Sequence, residues 1–434
     1  MSASIFLNLD VVSMKTVTNE RGKRKNKNLK MSETIYDLCV IGGGMFGSSA
    51  ARYASANVAL KVCLIGPNEP TPEEFVTREI FGAHYDEARI TRVLDDTPAC
   101  QVLSKNSIES YKELKKLSGI DFHSPVGCIF MGPKDGAFML KYLENSAIHN
   151  VPVVDLSDRE TFEKRFPFLK LNYNECVLLD DNGGGHISPR KFVSAQKKVA
   201  YMQGCDIIDS VVCSAEILKD GIHEVRTESK GIIKAKRLLI ATGAFANLKE
   251  FDVLKPLVLK RCKTTAVMLK ITENEALRLS SMPAVIKRGC KTDLGAYILP
   301  PVKYPDGNYY MKIGGSFDYE TGEELKTLDD LRKWYLSDGD ERMTDILVNF
   351  INELIPGLKF TDLSRMTCVT CCTPSGLPYV DRVSPTVTVA VSGNGKGAKF
   401  SDEIGKIAAH LSITGQWNSE LPRNMFHAIF QKNH

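Results

Sequence analysis

The sequence predicts an α/β chain, α+β overall, organised around a Rossmann-like dinucleotide-binding unit. Two stretches predict it: "YDLCVIGGGMFGSSAARYASA" near the start and "IIKAKRLLIATGAFANLKEF" about 200 residues later. The chain's 434 residues allow two or three domains and a large core. An apolar share of 43% with 25% charged residues is ordinary for a globular protein.

In the first stretch, Tyr36 to Ile41 reads as a buried strand, followed by a glycine turn and a helix with small residues on its packing face. Gly42, Gly44 and Gly47 supply G-x-G-x-x-G, with Gly43, Met45 and Phe46 completing the turn. Such glycines let the backbone turn tightly and approach a pyrophosphate at the positive end of the helix. The other reading is a merely glycine-rich turn. The second strand lies in "ALKVCLIGPNEP". An acidic residue for the adenosine ribose is expected near its end, yet Gly66 stands there, with Asn68 and Glu69 just beyond. Glu69 is the remaining candidate. The later stretch is a strand ending in Ala241, Thr242 and Gly243, the short sequence that closes over FAD in two-dinucleotide-binding flavoproteins. Paired with the first motif, it favours FAD over NAD. Further on, "DGNYYMKIGGSFDYET" alternates like a strand. "TLDDLRKWYLS" and "MTDILVNFINELIPG" have helical spacing, the latter stopped at Pro356 and Gly357.

The net charge of +4 is unevenly placed. Lys15, Arg21, Lys23, Arg24, Lys25, Lys27 and Lys30 against Asp10 and Glu20 give the first thirty residues +5, which leaves −1 for the rest. The body therefore carries no basic excess of the kind that binds nucleic acid. Residues 1–33 form a basic leader with two open readings: a mitochondrial presequence, or a disordered tail or extended gene model ahead of Met31. No apolar run approaches the ~18 residues of a membrane span, and the terminal "QKNH" is not a peroxisomal SKL-type signal. Twelve cysteines without a paired framework read as reduced thiols in an intracellular compartment, the cytoplasm unless the leader is a presequence. No metal site is expected. The cluster Cys368, Cys371 and Cys372 lacks the second Cys or His pair of a zinc site, and leads into turn residues and a strand rather than a redox helix.

Three further stretches carry a family resemblance: "GAHYDEARITR" (82–92), "CVTCCTPSGLPYVDR" (368–382) and "VAVSGNGKGAKFSDEIG" (389–405). They resemble the signatures of FAD-dependent amine oxidases related to monomeric sarcosine oxidase and N-methyltryptophan oxidase, in the D-amino-acid-oxidase-like superfamily. The resemblance runs from about Tyr36 to about Gly415. It implies a discontinuous FAD-binding domain (34–95, 170–250 and 365–420), an inserted mixed-sheet substrate domain (96–169 and 251–364) and a C-terminal tail (421–434).

Residue by residue, the resemblance makes Arg89 and Arg92 the R-x-x-R pair beside the flavin, with Arg92 holding the substrate carboxylate. A guanidinium grips a carboxylate through two charge-assisted hydrogen bonds. The competing reading is surface ion pairs with Asp86, Asp95 or Asp96. His84 matches a flavin-proximal histidine, and Lys399 the second carboxylate-binding residue. The loop of Gly393, Asn394, Gly395 and Gly397 precedes a helix that Ser401 would cap, placing N–H groups and a positive helix end at the flavin pyrimidine. Lys312 matches the lysine over the flavin that promotes reaction with O2. Cys368 matches the cysteine that anchors FAD covalently; the other reading is a buried thiol under a noncovalent flavin. Cys371 and Cys372 read as packing residues. The pattern also departs from the family: Ser316 replaces an active-site histidine and Thr370 a tyrosine, so sarcosine itself is doubtful as substrate.

The expected activity is oxidation of a secondary amine or N-methyl amino acid to an imine, with O2 reduced to H2O2. Alternatives are a dehydrogenase on the same fold with another acceptor, and a flavoprotein assembly factor without amine oxidation. The amine and the oligomeric state are not legible.

Overall fold

The computed structural model describes residues 34–288, 294–316 and 323–432; the leader and its two readings lie outside them. Four short runs, Leu38–Ile41, Val62–Ile65, Leu238–Ile240 and Val387–Val391, are buried along their whole length. Strands covered on both faces read as continuous apolar runs, as parallel strands do. With Asp206–Ile208 and Tyr379–Ser384 they make a six-stranded sheet, ordered 206–208, 62–65, 38–41, 238–240, 387–391, 379–384. All pairs are parallel except the last.

The helix Met45–Ser55 follows the first of these strands and buries Gly47, Ser48, Ser49, Ala50, Ala51 and Ala54. These small side chains admit a second helix, Ser401–Thr414, at short range: a Cβ on Gly405 would lie 2.3 Å from that of Ser49. Asp402, fully buried between them, accepts hydrogen bonds from Arg52 (3.0 Å), Tyr53 (2.7 Å), Ser110 (2.5 Å) and Gln196 (2.5 Å). One carboxylate thus ties four helices together, its charge compensated by Arg52.

A second, eight-stranded sheet runs 362–372, 260–271, 309–316, 295–303, 284–288, 128–133, 175–180, 154–155. The strand expected in "DGNYYMKIGGS" is Tyr309–Ser316, in the interior of this sheet. Its Met311 and Ile313 enter a core with Val267, Leu269 and Ile298, which leaves Lys312 and Gly314 on the opposite face. The two expected helices are Leu328–Tyr335 and Glu341–Leu354, opened by Thr327 and Asp340 as N-caps. A five-stranded sheet and a three-stranded one (89–91, 185–187, 123–124) complete the described architecture. No helix among the described residues is long and apolar enough to cross a membrane.

Candidate active site

The turn after the first strand is built by glycine. Gly42 has φ +114°, and a Cβ there would lie 2.3 Å from the Ala241 carbonyl oxygen; one on Gly47 would lie 1.9 Å from that of Gly42. Both positions therefore exclude any side chain. Gly66 packs on the same turn, its Cβ position 2.3 Å from the Gly43 nitrogen. Contact with the turn, rather than with a ribose, accounts for glycine at the end of the second strand. Gly44 caps the helix with no side chain bonded to it and nothing within 4 Å of its Cβ position. The first-turn N–H groups are open there, and no acidic residue occupies that turn, so the end favours an anion. Glu69 is held by Arg190 at 2.6 and 2.7 Å and does not line the cavity described next.

Beside this turn lies a cavity of about 710 Å³, within the usual range for cofactor and ligand sites. Its wall includes Gly42–Phe46, Ala241–Gly243, His84, Arg89, Arg92, Cys368 and the loop Gly393–Gly397. Three buried polar atoms on these residues, His84 Nδ1, Arg92 Nε and Thr242 Oγ1, have no partner among the described residues. Buried polar groups are rarely left so, and a bound ligand is one way to satisfy them. Burial, then the cations Lys197 and Arg190, push His84 down to about 3, so its ring is neutral at neutral pH. The glycine cradle, the uncapped helix end and the orphaned atoms together fit a dinucleotide cofactor.

The loop is itself strained into place. Ser392 (φ +71°) and Asn394 (φ +49°) adopt the left-handed region beside Gly395 (φ +73°). Both bond the Cys371 carbonyl, through Ser392 Oγ at 2.7 Å and the Asn394 N–H at 3.0 Å, while Asn394 Oδ1 accepts the Thr373 N–H at 2.8 Å. The Asn394 side chain is thus spent on the loop's own geometry. Ser401 is not the N-cap expected from sequence. A 3-10 turn, Gly397–Phe400, runs directly into the helix and Ser401 donates to the Ala398 carbonyl.

The charged residues expected at the site converge on two carboxylates. Asp86 is ion-paired with both Arg89 and Lys312 and accepts the Tyr304 hydroxyl at 2.8 Å. Asp95 is shared by Arg92 (2.9 Å), Lys396 (2.8 Å) and Lys399. Both carboxylates, with Arg92, Lys312 and Lys399, are buried, and Arg89 and Lys396 are half-buried, so these are not surface ion pairs. Burial opposes the Asp95 charge, but Lys399, Arg92 and Lys396 hold its carboxyl well below the usual range. Burial also opposes the Arg92 charge, and Asp95 raises it on balance. Burial, with Arg92 close by, brings Lys399 down to about 8. Lys312 is pushed well below the lysine range by burial and by Arg89. Lys312 and Lys399 are each 1% exposed and lie behind the cavity wall, whereas Arg89, Arg92 and His84 are on it.

Cys368 is half-buried on the wall, 4.0 Å from Arg89 Nη2, and its carbonyl accepts the Trp334 indole N–H at 2.8 Å. Cys371 is buried, and burial pushes its thiol up to about 11; the same cause takes Cys372 to about 12. Neither is a ready nucleophile. Sequence reasoning missed Ser392, Asp86 and Asp95 as organising residues. The last two were legible only as ion-pair partners of Arg89 and Arg92, and the fold places those pairs in the interior rather than on the surface. Among the described residues no group of His, Cys, Asp and Glu could hold a metal ion.

Residues 37–411 match the family profile described as DAO, FAD dependent oxidoreductase. The chain is 26% identical to monomeric sarcosine oxidase of Streptomyces avermitilis, over 89% of this chain and 95% of that one. It is 22% identical to N-methyl-L-tryptophan oxidase of Yersinia pestis, over 86% and 94%. Among solved structures it resembles L-proline dehydrogenase from P. horikoshii, with a TM-score of 0.71 and 20% identity, covering 91% of this chain and 97% of that one.

Proposed function

The chain belongs to the DAO family of FAD dependent oxidoreductases, and on that premise we propose that it oxidises the C–N bond of a secondary amine or N-methyl amino acid with O2 as acceptor. One observation carries the reading. A single cavity collects the glycine turn, the Ala241–Gly243 strand end, Arg89 and Arg92, Cys368 and the 393–397 loop, from positions about 350 residues apart.

FAD, when bound, takes up the two electrons of the amine and passes them to the acceptor. The amine's α-carbon gives up a hydride equivalent, and water hydrolyses the resulting imine to a carbonyl compound and a shorter amine. O2, with two electrons and two protons, becomes H2O2. In this proposal the Gly42–Gly47 turn and Thr242 hold the cofactor. Arg92 orients the substrate carboxylate through its unpartnered Nε–H while Nη2 stays on Asp95. Lys399 and Lys396 fix Asp95, and through it Arg92. His84, neutral and buried, offers a hydrogen bond without adding charge. Cys368 is the proposed covalent anchor. The domain division, 34–95, 170–250 and 365–420 against 96–169 and 251–364, belongs to the same proposal; its edge at 365 falls inside the strand Asp362–Cys372. So does an intracellular location, from cysteine usage.

A dehydrogenase is the second reading, favoured by one observation: Lys312 Nζ is engaged by Asp86 and the Ala88 carbonyl, behind the cavity wall. Turnover in air separates the two. The oxidase reading expects one H2O2 per amine consumed, and a roughly 100-fold slower reaction with O2 in Lys312→Met. Amine oxidation that yields no H2O2 and needs an artificial dye as acceptor would establish the dehydrogenase instead.

A further inference from the structure

The cations on the cavity wall are not equivalent. Arg89 is paired with Asp86, Arg92 with Asp95, Lys249 with Glu79, Arg365 with Glu341, and Lys396 with Asp95 and Asp96. Arg288 has no carboxylate among the described residues. Its interaction there is with an aromatic face: the guanidinium carbon lies 4.8 Å from the centre of the Phe138 ring.

Its position is built rather than incidental. Arg288 ends the strand Ala284–Arg288 and pairs in register with Gly295 on the next strand. A Cβ on Gly295 would lie 2.3 Å from Arg288 Nη1 and 2.8 Å from its Cζ, so glycine leaves the room the guanidinium occupies. Phe138 packs on Tyr142 at 4.6 Å, and Tyr142 on Phe130 at 4.4 Å. Arg92, the proposed carboxylate holder, lies 5.8 Å over Phe130. One three-ring aromatic cluster therefore carries a guanidinium at each end, and both reach the same cavity. Arginine stays charged in any protein environment, and leaving that charge half-buried without a counter-ion is unfavourable.

We propose that Arg288 is a second anion-recognition residue, and that the substrate is an aminodicarboxylic acid: a secondary amine or N-methyl amino acid whose α-carboxylate goes to Arg92 and whose distal carboxylate goes to Arg288. This rests on the reading of the cavity as an amine site. The planar fork of the guanidinium matches a carboxylate with two parallel hydrogen bonds. Phe138 and Tyr142, on the cavity wall between the two ends, cover the apolar part of the chain that joins them.

The test is calorimetric titration of the FAD-loaded protein with succinate, glutarate and adipate, each against the monocarboxylate of equal length. At least one dicarboxylate binds about 10-fold or more tightly than its partner. Arg288→Met brings it down to the monocarboxylate level. Gly295→Ala, which displaces the guanidinium without removing it, reduces the same advantage. Equal affinities in the wild type overturn the proposal whether or not either variant folds, as does a dicarboxylate advantage that survives Arg288→Met. If no amine is oxidised but dicarboxylates keep their advantage, amine oxidation is lost as the function and the two-anion site stands.

Discussion

His186 shows what a single buried group does to this protein. It lies in the three-stranded sheet opposite Ile90 and Ser124, and its Nδ1 has no partner among the described residues. Burial, then His123 and Lys312, push it from 6.5 down to about 4. Below pH 6.5 the unfolded chain binds a proton that the folded chain refuses. The contribution is therefore complete above 6.5 and is lost as pH falls toward 4. At pH 5 the loss is about 2 kcal/mol. In His186→Gln the gap between unfolding free energies at pH 7 and pH 5 shrinks by about that amount; an unchanged gap contradicts the assignment. At this scale the sequence was partly legible. Arg92 and Lys399 could be singled out from motifs, but not that both end on Asp95, since Lys399 and Asp95 are 304 residues apart. Nor did spacing show that Lys312 is buried: an alternating strand looks the same at the edge of a sheet as inside one.

The strand Asp362–Cys372 decides how the cysteine cluster is used. It pairs in full with 260–271, with Thr264 opposite Cys368. Its far end is clipped to the glycine loop by the two bonds on the Cys371 carbonyl. Strand and loop therefore bound the cavity as one piece; Cys368 and Cys371 both line it, but Cys371 is buried against the apolar layer of Tyr379, Val389 and Val391 while Cys368 is half-buried. Acid precipitation of the purified protein is expected to keep the yellow colour in the pellet. Cys368→Ala releases it to the supernatant, and Cys371→Ala does not. Colour in the wild-type supernatant, or in the pellet of Cys368→Ala, contradicts the covalent anchor. Helices were legible where their spacing and stop signals are local, as in Leu328–Tyr335 and in Glu341–Leu354, which ends just before Pro356 and Gly357. The start at Ser401 was not, because the 3-10 turn before it removes the cap position.

Across the molecule, the six-stranded sheet supplies the glycine turn and the Ala241–Gly243 end, while the eight-stranded sheet supplies Cys368 and Arg288. The first contribution was readable because short, wholly buried parallel strands leave continuous apolar runs and their glycines follow immediately. The second was not, because strand order in a mixed sheet follows pairings between distant segments that no local pattern encodes. Arg288 is the clearest case: in sequence it is one arginine at a strand end, and that no carboxylate among the described residues pairs with it is a property of the fold. The proposed function requires that a secondary amine or N-methyl amino acid deliver electrons to FAD in this cavity. Anaerobic titration of the FAD-loaded protein with a panel of such amines, followed in the visible flavin band, tests it most directly. At least one member of the panel is expected to bleach the flavin stoichiometrically. A yellow protein that none of them bleaches, or a purified protein with no flavin spectrum, would contradict it.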